Sequence, residues 1–158
     1  MLPANCLPVA IADSSSLIGL HAIGRLELMQ GLFDSVLVAP AVALEIRRFA
    51  LPEWIRVAEP AVETSAITLP GGLGPGETET ILLSLQMRPD ITILDESAAR
   101  AAARALGINI TGVLGLLVAG KKRGLPVSVR TDVDVLRAFG FHISAKLYRD
   151  VIDLAGEE

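Results

Sequence analysis

Short apolar runs alternate with longer segments of helical periodicity along most of this chain. Four runs have the length and composition of buried strands, and they lie at residues 8–13, 35–39, 91–95 and 108–110. Two weaker candidates, WIRVAE and AITL, lie at residues 54–59 and 66–69. Strands that alternate with helices predict an α/β fold, in which helices cover both faces of a central parallel sheet of four to five strands.

Prolines, glycines and small polar residues mark the ends of the predicted helices. These helices extend over residues 15–32 with a break near 21–24, and over 40–49, 75–87, 96–106, 112–123, 131–139 and 144–155. Pro40 suits a first helical position, and Gly107 and Gly124 suit the position just after a helix end. The predicted N-caps are Thr111, Ser144 and a variant capping box, TDVD, at 131–134.

Length and composition indicate one globular domain over residues 1–158. Hydrophobic residues make up 51% of the chain and charged residues 20%, which is enough apolar surface for a sizeable core. No uncharged stretch reaches the roughly 20 residues of a bilayer span, and the amino terminus lacks the basic start of a signal peptide. Cys6 has no second cysteine to pair with. We therefore expect a cytoplasmic protein without a membrane partner.

The net charge of the chain limits the ways in which it can bind nucleic acid. A net charge of −4 argues against broad electrostatic capture of nucleic acid, which needs clustered Lys and Arg. The basic runs at 47–48 and 121–123 are typical of last-turn residues that complement a helix dipole. A small site that uses a metal ion to approach phosphate is still compatible with an acidic protein. His21 and His142 have no metal-ligand spacing, and no Gly-Lys-Ser/Thr follows GGLGPG.

Two of the predicted strands end at a lone carboxylate, Asp13 and Asp95. In open α/β sheets the carboxyl edge is where ligands bind, and two acids there indicate a hard divalent cation held by oxygen ligands. Ser15 follows Asp13 at a spacing that would bring a hydroxyl to the same ligand. N-capping of the following helix is the competing interpretation for both acids.

Further acids lie on the predicted helices. Glu45 interrupts an apolar stripe, where a carboxylate is costly unless it binds metal or pairs with Arg48. Glu77 and Glu79 open a helix whose dipole they would oppose favourably, and their spacing allows only one of them to face a given site. Carboxylates gathered in one place repel one another, so at least one is expected to hold a proton.

The segments that carry these acids resemble the PIN-domain family, and within it the VapC-like branch of compact prokaryotic PIN proteins. The resemblance covers nearly the whole chain and rests on the segments IADSSSLIGLHAIGRLELM, PAVALEIRR, LGPGETETILLSL, ILDESAARAAARALGINITGVLGLLVAGKKRGL and GFHISAKLYRDVI. It implies that the catalytic and metal-binding residues are Asp13, Glu45, Glu77 and Asp95, with Mg²⁺ or Mn²⁺ as cofactor. The supporting residues that it implies are Ser15, Glu79 and Glu96.

By the same resemblance, the protein would be an endoribonuclease that cleaves single-stranded RNA, as the toxin of a type II toxin-antitoxin pair. Its partners would be a second copy of the chain and a cognate antitoxin. The third acid is Glu where many PIN toxins have Asp, and the stretch after Gly107 is longer than in the smallest toxins. The alternative is a catalytically silent PIN-fold module that binds RNA or protein. A phospho-acceptor receiver domain would need an acidic pair at the end of the first strand, but Ser14 follows Asp13.

Overall fold

The computed structural model describes residues 8–61 and 68–158. In this part of the chain, five strands form one sheet: β1 Val9–Ala12, β2 Ser35–Val38, β3 Ile55–Val57, β4 Ile91–Ile93 and β5 Ile110–Thr111. The strand order is β3-β2-β1-β4-β5, and each neighbouring pair is parallel. The predicted α/β fold with a parallel sheet is confirmed.

Eight helices in the described residues connect and cover these strands. They are α1 Ser14–Ala22, α2 Leu28–Leu32, α3 Pro40–Glu45, α4 Pro75–Met87, α5 Ser97–Ala105, α6 Val113–Lys122, α7 Val129–Ala138 and α8 Ala145–Leu154. The larger apolar cluster packs α1, α2, α6, α7 and α8 with the strands, and a second cluster joins Leu94 to α4 and α5. The result is a three-layer α/β arrangement. No helix of the described segments is both long and apolar enough to cross a membrane.

The strand order reverses at the centre of the sheet. The chain passes from β1 outward to β2 and β3, and then returns to add β4 on the other side of β1. Ala12 is paired with Ile93 across this junction, and the Asp13 N–H donates to the Ile93 carbonyl at 3.1 Å. Helices leave neighbouring strands in opposite directions at such a switch point, which opens a crevice at the carboxyl edge. Asp13 and Asp95 both follow strands that meet at this crevice.

Most of the predicted helix boundaries agree with the structure to within one or two residues. The helix predicted at 75–87 is α4, and a break does separate α1 from α2, although it lies at residues 23–27 and not at 21–24. Gly107 and Gly124 follow the ends of α5 and α6 with φ of 75° and 79°, a conformation that glycine adopts without strain. The Ser144 hydroxyl oxygen accepts from the Leu147 N–H at 3.1 Å and caps α8 as predicted.

Several local predictions are wrong. The last strand begins at Ile110 rather than residue 108, so Thr111 belongs to β5 and Gly112 becomes the N-cap of α6. The TDVD capping box does not form, because α7 already begins at Val129 with Ser128 as its N-cap. Its Asp132 is instead buried against Arg25, at 2.8 Å.

Two further predictions concern less regular segments. Helix α3 ends at Glu45 and does not continue to residue 49, because Ile46 is already extended. Of the weak strand candidates, WIRVAE contains β3. In AITL, residues 68 and 69 are not in a strand, and residues 66 and 67 lie outside the described residues, as does Cys6.

Candidate functional site

Asp13 follows β1 directly and is almost completely buried, with 1% of its surface exposed. Its Oδ1 accepts from the Ser16 N–H at 2.9 Å, so the side chain does cap α1. Its Oδ2 is buried without a hydrogen-bond partner. Capping therefore explains only one of the two carboxylate oxygens. Buried polar atoms are nearly always satisfied, so this unpartnered oxygen is a candidate ligand for a cation.

Burial raises the pKa of Asp13 to about 7, and the negative charge of Asp95 adds to this shift. The hydroxyl and the N–H of Ser16 oppose the increase but do not cancel it. The Asp13 carboxyl group is therefore largely neutral at slightly acidic pH, chiefly because it is buried and only secondarily because of repulsion between carboxylates.

We expect this shift to make the protein less stable as the pH rises from about 4 to about 7. Asp13 ionises near 3.8 in an unfolded chain and near 7 in the fold, so in this interval only the folded state keeps the proton. The stabilisation by this proton is fully present below the pKa of the unfolded chain and is lost as the pH rises through the pKa of the folded protein. Over this interval the free energy of unfolding falls by on the order of 4 kcal/mol at most. Urea unfolding at several pH values, with wild type and Asp13→Asn compared, measures the effect. Equal pH dependence in the two proteins would contradict it.

Asp95 follows β4 and lies on the other side of the crevice. Its Oδ2 accepts from the Ser16 hydroxyl at 2.6 Å, and its Oδ1 accepts from the Val113 N–H at 3.1 Å. The Asp95 side chain therefore binds the N-terminus of α6. It does not cap α5, the helix that follows it in the chain, whose N-cap is Glu96. Ser16 contacts Asp13 through its N–H and Asp95 through its hydroxyl, and so links the two acids.

Glu45 joins three helices at the edge of this crevice. Its Oε2 accepts from the Ser14 hydroxyl at 2.5 Å, and its Oε1 accepts from the Gly76 N–H at 2.8 Å. A Cβ atom at residue 76 would lie only 2.4 Å from Oε2, so this contact requires glycine. The alternative ion pair with Arg48 does not form within the described residues. The α3 carboxylate is thus held by the first turns of α1 and α4.

Glu77 and Glu79 diverge, as their spacing predicts. The Glu77 carboxylate accepts from the Gly74 N–H at 3.4 Å. Burial raises its pKa, and the charges of Glu96 and Glu45 add to this increase against the Gly74 hydrogen bond. Glu79 turns to α3, where it accepts from the Ala41 N–H at 2.7 Å. The negative charges of the other acids therefore act on Glu77, whereas Glu79 links α4 to α3 through a hydrogen bond.

The donor chemistry of this edge fits Mg²⁺ or Mn²⁺, which prefer carboxylate oxygens. Within residues 8–61 and 68–158, no three His, Cys, Asp or Glu side chains are gathered into a ready-made metal cage. Mg²⁺ does not require such a cage, because it usually keeps several waters and takes one or two carboxylates. Asp13 and Asp95 are two such carboxylates, linked through Ser16, and one buried oxygen of Asp13 has no hydrogen-bond partner.

Comparison with known families identifies the fold. A family model described as a PIN domain (DUF3368) matches residues 9–157. The chain belongs to the PIN-domain family. PIN domains are generally nucleases and typically use divalent metal ions. The resemblance to this family is confirmed, and the assignment to the VapC-like branch stays a prediction. Comparisons with curated proteins and with solved structures gave no significant match.

Some residues that contact these acids could not be identified from the sequence of this PIN domain. The hydroxyls that bind the acids belong to Ser14 and Ser16, whereas Ser15 makes no side-chain hydrogen bond within the described residues. The run of three serines after Asp13 is the sequence feature that indicates hydroxyl groups near the acid. Only the observed start of α1 decides which of these serines face the acids. Gly76 and Gly112 also adjoin carboxylates, and in the sequence they appear only as loop or helix glycines.

Proposed function

We propose that this PIN domain is a metal-dependent endoribonuclease that cleaves single-stranded RNA. The observation that carries the proposal is the linked pair of Asp13 and Asp95 at the switch point of the sheet, with one buried carboxylate oxygen left unpartnered. Membership of a family that generally consists of nucleases supports the same chemistry. The choice of single-stranded RNA rests on the resemblance to VapC-like proteins.

The proposed catalytic and metal-binding residues are Asp13, Glu45, Glu77 and Asp95. Asp13 would give up its proton and offer Oδ2 to Mg²⁺ or Mn²⁺, while Ser16 keeps the Asp95 carboxylate at a fixed distance. Glu45 and Glu77 extend the negative edge, and the hydroxyl of Ser14 orients Glu45. When bound, the ion would activate water and neutralise charge on the scissile phosphate. No side-chain nucleophile is required.

The direct test compares wild type, Glu45→Gln and Glu53→Gln on a single-stranded RNA with Mn²⁺ or with a chelator. We expect cleavage to require the metal and kcat/KM to fall by about tenfold to a hundredfold in Glu45→Gln, because the amide weakens the negative edge. Glu53 is an exposed acid before β3 and serves as the matched control. Equal cleavage by wild type and Glu45→Gln would reject the assignment.

A catalytically silent PIN-fold module that binds RNA or protein is the second candidate. It is favoured by the hydrogen bonds that already satisfy Asp95 and Glu45. Titration calorimetry separates the two candidates. Absence of Mn²⁺ binding, together with retained RNA or partner binding, would support the silent module.

We also propose that the protein is the toxin of a type II toxin-antitoxin pair, acting in the cytoplasm as a homodimer. An Arg or Lys of the antitoxin would satisfy the acids at the crevice, which otherwise repel one another. Induced expression in bacteria is expected to arrest growth, and co-expression of a short reading frame directly upstream should restore it. Normal growth on expression of an active nuclease would contradict the toxin role.

A further inference from the structure

One basic side chain reaches the acidic crevice from α5. The Arg100 Nη1 donates to the carbonyl of Leu94 at 2.8 Å, and Leu94 directly precedes Asp95. The half-buried guanidinium is therefore held in place by the end of the same strand that delivers the acid. A guanidinium has five N–H donors, so most of the hydrogen-bonding capacity of Arg100 is left for another group.

Gly112 lies between this guanidinium and the carboxylate. A Cβ atom on Gly112 would be 2.7 Å from Asp95 Oδ1 and 3.0 Å from Arg100 Nη1. The two charged groups therefore both lie close to the Gly112 backbone, in an arrangement that only a residue without a side chain allows. They form no ion pair within the described residues, although they have opposite charges and lie close together. The position of Arg100 is thus set by the Leu94 carbonyl and not by neutralisation of Asp95.

We propose that Arg100 binds a phosphate of the RNA beside Asp95 and so positions the scissile group over the Asp13 and Asp95 pair. The inference rests on the nuclease function proposed above. A planar guanidinium matches two phosphate oxygens at once, and the Leu94 contact orients it before the substrate arrives. A protein with a net charge of −4 needs a local cation to hold phosphate next to its acids.

The test uses Arg100→Ala, Arg100→Lys and the control Arg104→Ala, which removes an exposed arginine one turn later on the same helix. Affinity is measured for a short single-stranded RNA at several salt concentrations, with a chelator present so that metal-dependent cleavage does not occur. We expect Arg100→Ala to weaken binding about tenfold and to reduce the salt slope by about one. Arg100→Lys should recover part of the affinity, and Arg104→Ala should bind like wild type.

Mn²⁺ titration distinguishes substrate binding from a counter-ion role. Phosphate binding by Arg100 predicts that Arg100→Ala binds Mn²⁺ at least as tightly as wild type while losing RNA affinity. Unchanged RNA affinity and salt slope would overturn the proposal, whether or not Mn²⁺ affinity rises. The Arg100→Lys variant answers the same question should the alanine variant fail to fold, since loss of the planar fork alone must weaken RNA binding.

RNA cleavage and RNA binding together distinguish a failure of the proposed nuclease function from a failure of the proposed Arg100 contact. A wild type that binds RNA through Arg100 but cleaves none with Mn²⁺ would reject catalysis and keep the phosphate contact. A wild type that cleaves RNA, with an Arg100→Ala variant of equal RNA affinity, would keep catalysis and reject the contact.

Discussion

Replacing Asp13 with asparagine is expected to inactivate the protein and to make it more stable at neutral pH. The amide keeps an oxygen for the Ser16 N–H, so the cap of α1 survives. The substitution removes the negative charge that the buried Asp13 carboxylate carries when the pH is above its pKa of about 7. We expect a gain of about 1 to 3 kcal/mol in the free energy of unfolding near pH 7. We also expect a loss of about a hundredfold or more in kcat/KM, because an amide is a poor ligand for Mg²⁺.

Asp132→Asn provides the contrast, since Asp132 is also buried but is paired with Arg25. This variant should lose stability, because a partner of a tertiary ion pair is removed, and it should keep the kcat/KM of its folded fraction. Urea unfolding and RNA cleavage with Mn²⁺ on both variants measure the two effects. An active Asp13→Asn protein, or one less stable than wild type at pH 7, would contradict the role assigned to Oδ2.

Replacing Gly76 with alanine should impair catalysis while leaving the fold almost unchanged. The new Cβ would lie 2.4 Å from Glu45 Oε2 and 2.8 Å from its Oε1, which is closer than van der Waals contact. Glu45 is exposed and ends in a flexible carboxylate, so it can move away at little cost to stability. Movement breaks its hydrogen bonds to the Gly76 N–H and the Ser14 hydroxyl. We expect kcat/KM to fall about tenfold to a hundredfold, with a change in unfolding free energy below about 1 kcal/mol.

Gly71→Ala is the matched control, because it makes the same change in the loop just before α4. A Cβ atom there meets nothing within 4 Å, so neither activity nor stability should change. Steady-state cleavage and urea unfolding of both variants give the comparison. Wild-type kcat/KM in Gly76→Ala would mean that the position of Glu45 does not matter for the reaction.

The acids were identifiable from the sequence, but their hydrogen-bond partners were not. Asp13 and Asp95 stand out because each ends an apolar run that is typical of a buried parallel strand. N-capping explained both equally well, and the structure divides the cases: Asp13 caps its own helix, whereas Asp95 reaches the start of α6. Glu77 and Glu79 were equivalent in the sequence, since apolar residues surround α4, and only the packing of α3 on α4 separates them.

The sequence alone determined where four of the five strands of the described residues and most of their helices lie, because buried parallel strands are continuous apolar runs and glycine or proline ends most helices. It also determined which acids lie at strand ends. Tertiary structure decided which of the serines face those acids, which oxygen of Asp13 has no partner, and that Arg100 and Asp95 both lie close to Gly112. These features depend on distances between elements far apart in the chain. Periodicity along one segment contains no information about such distances.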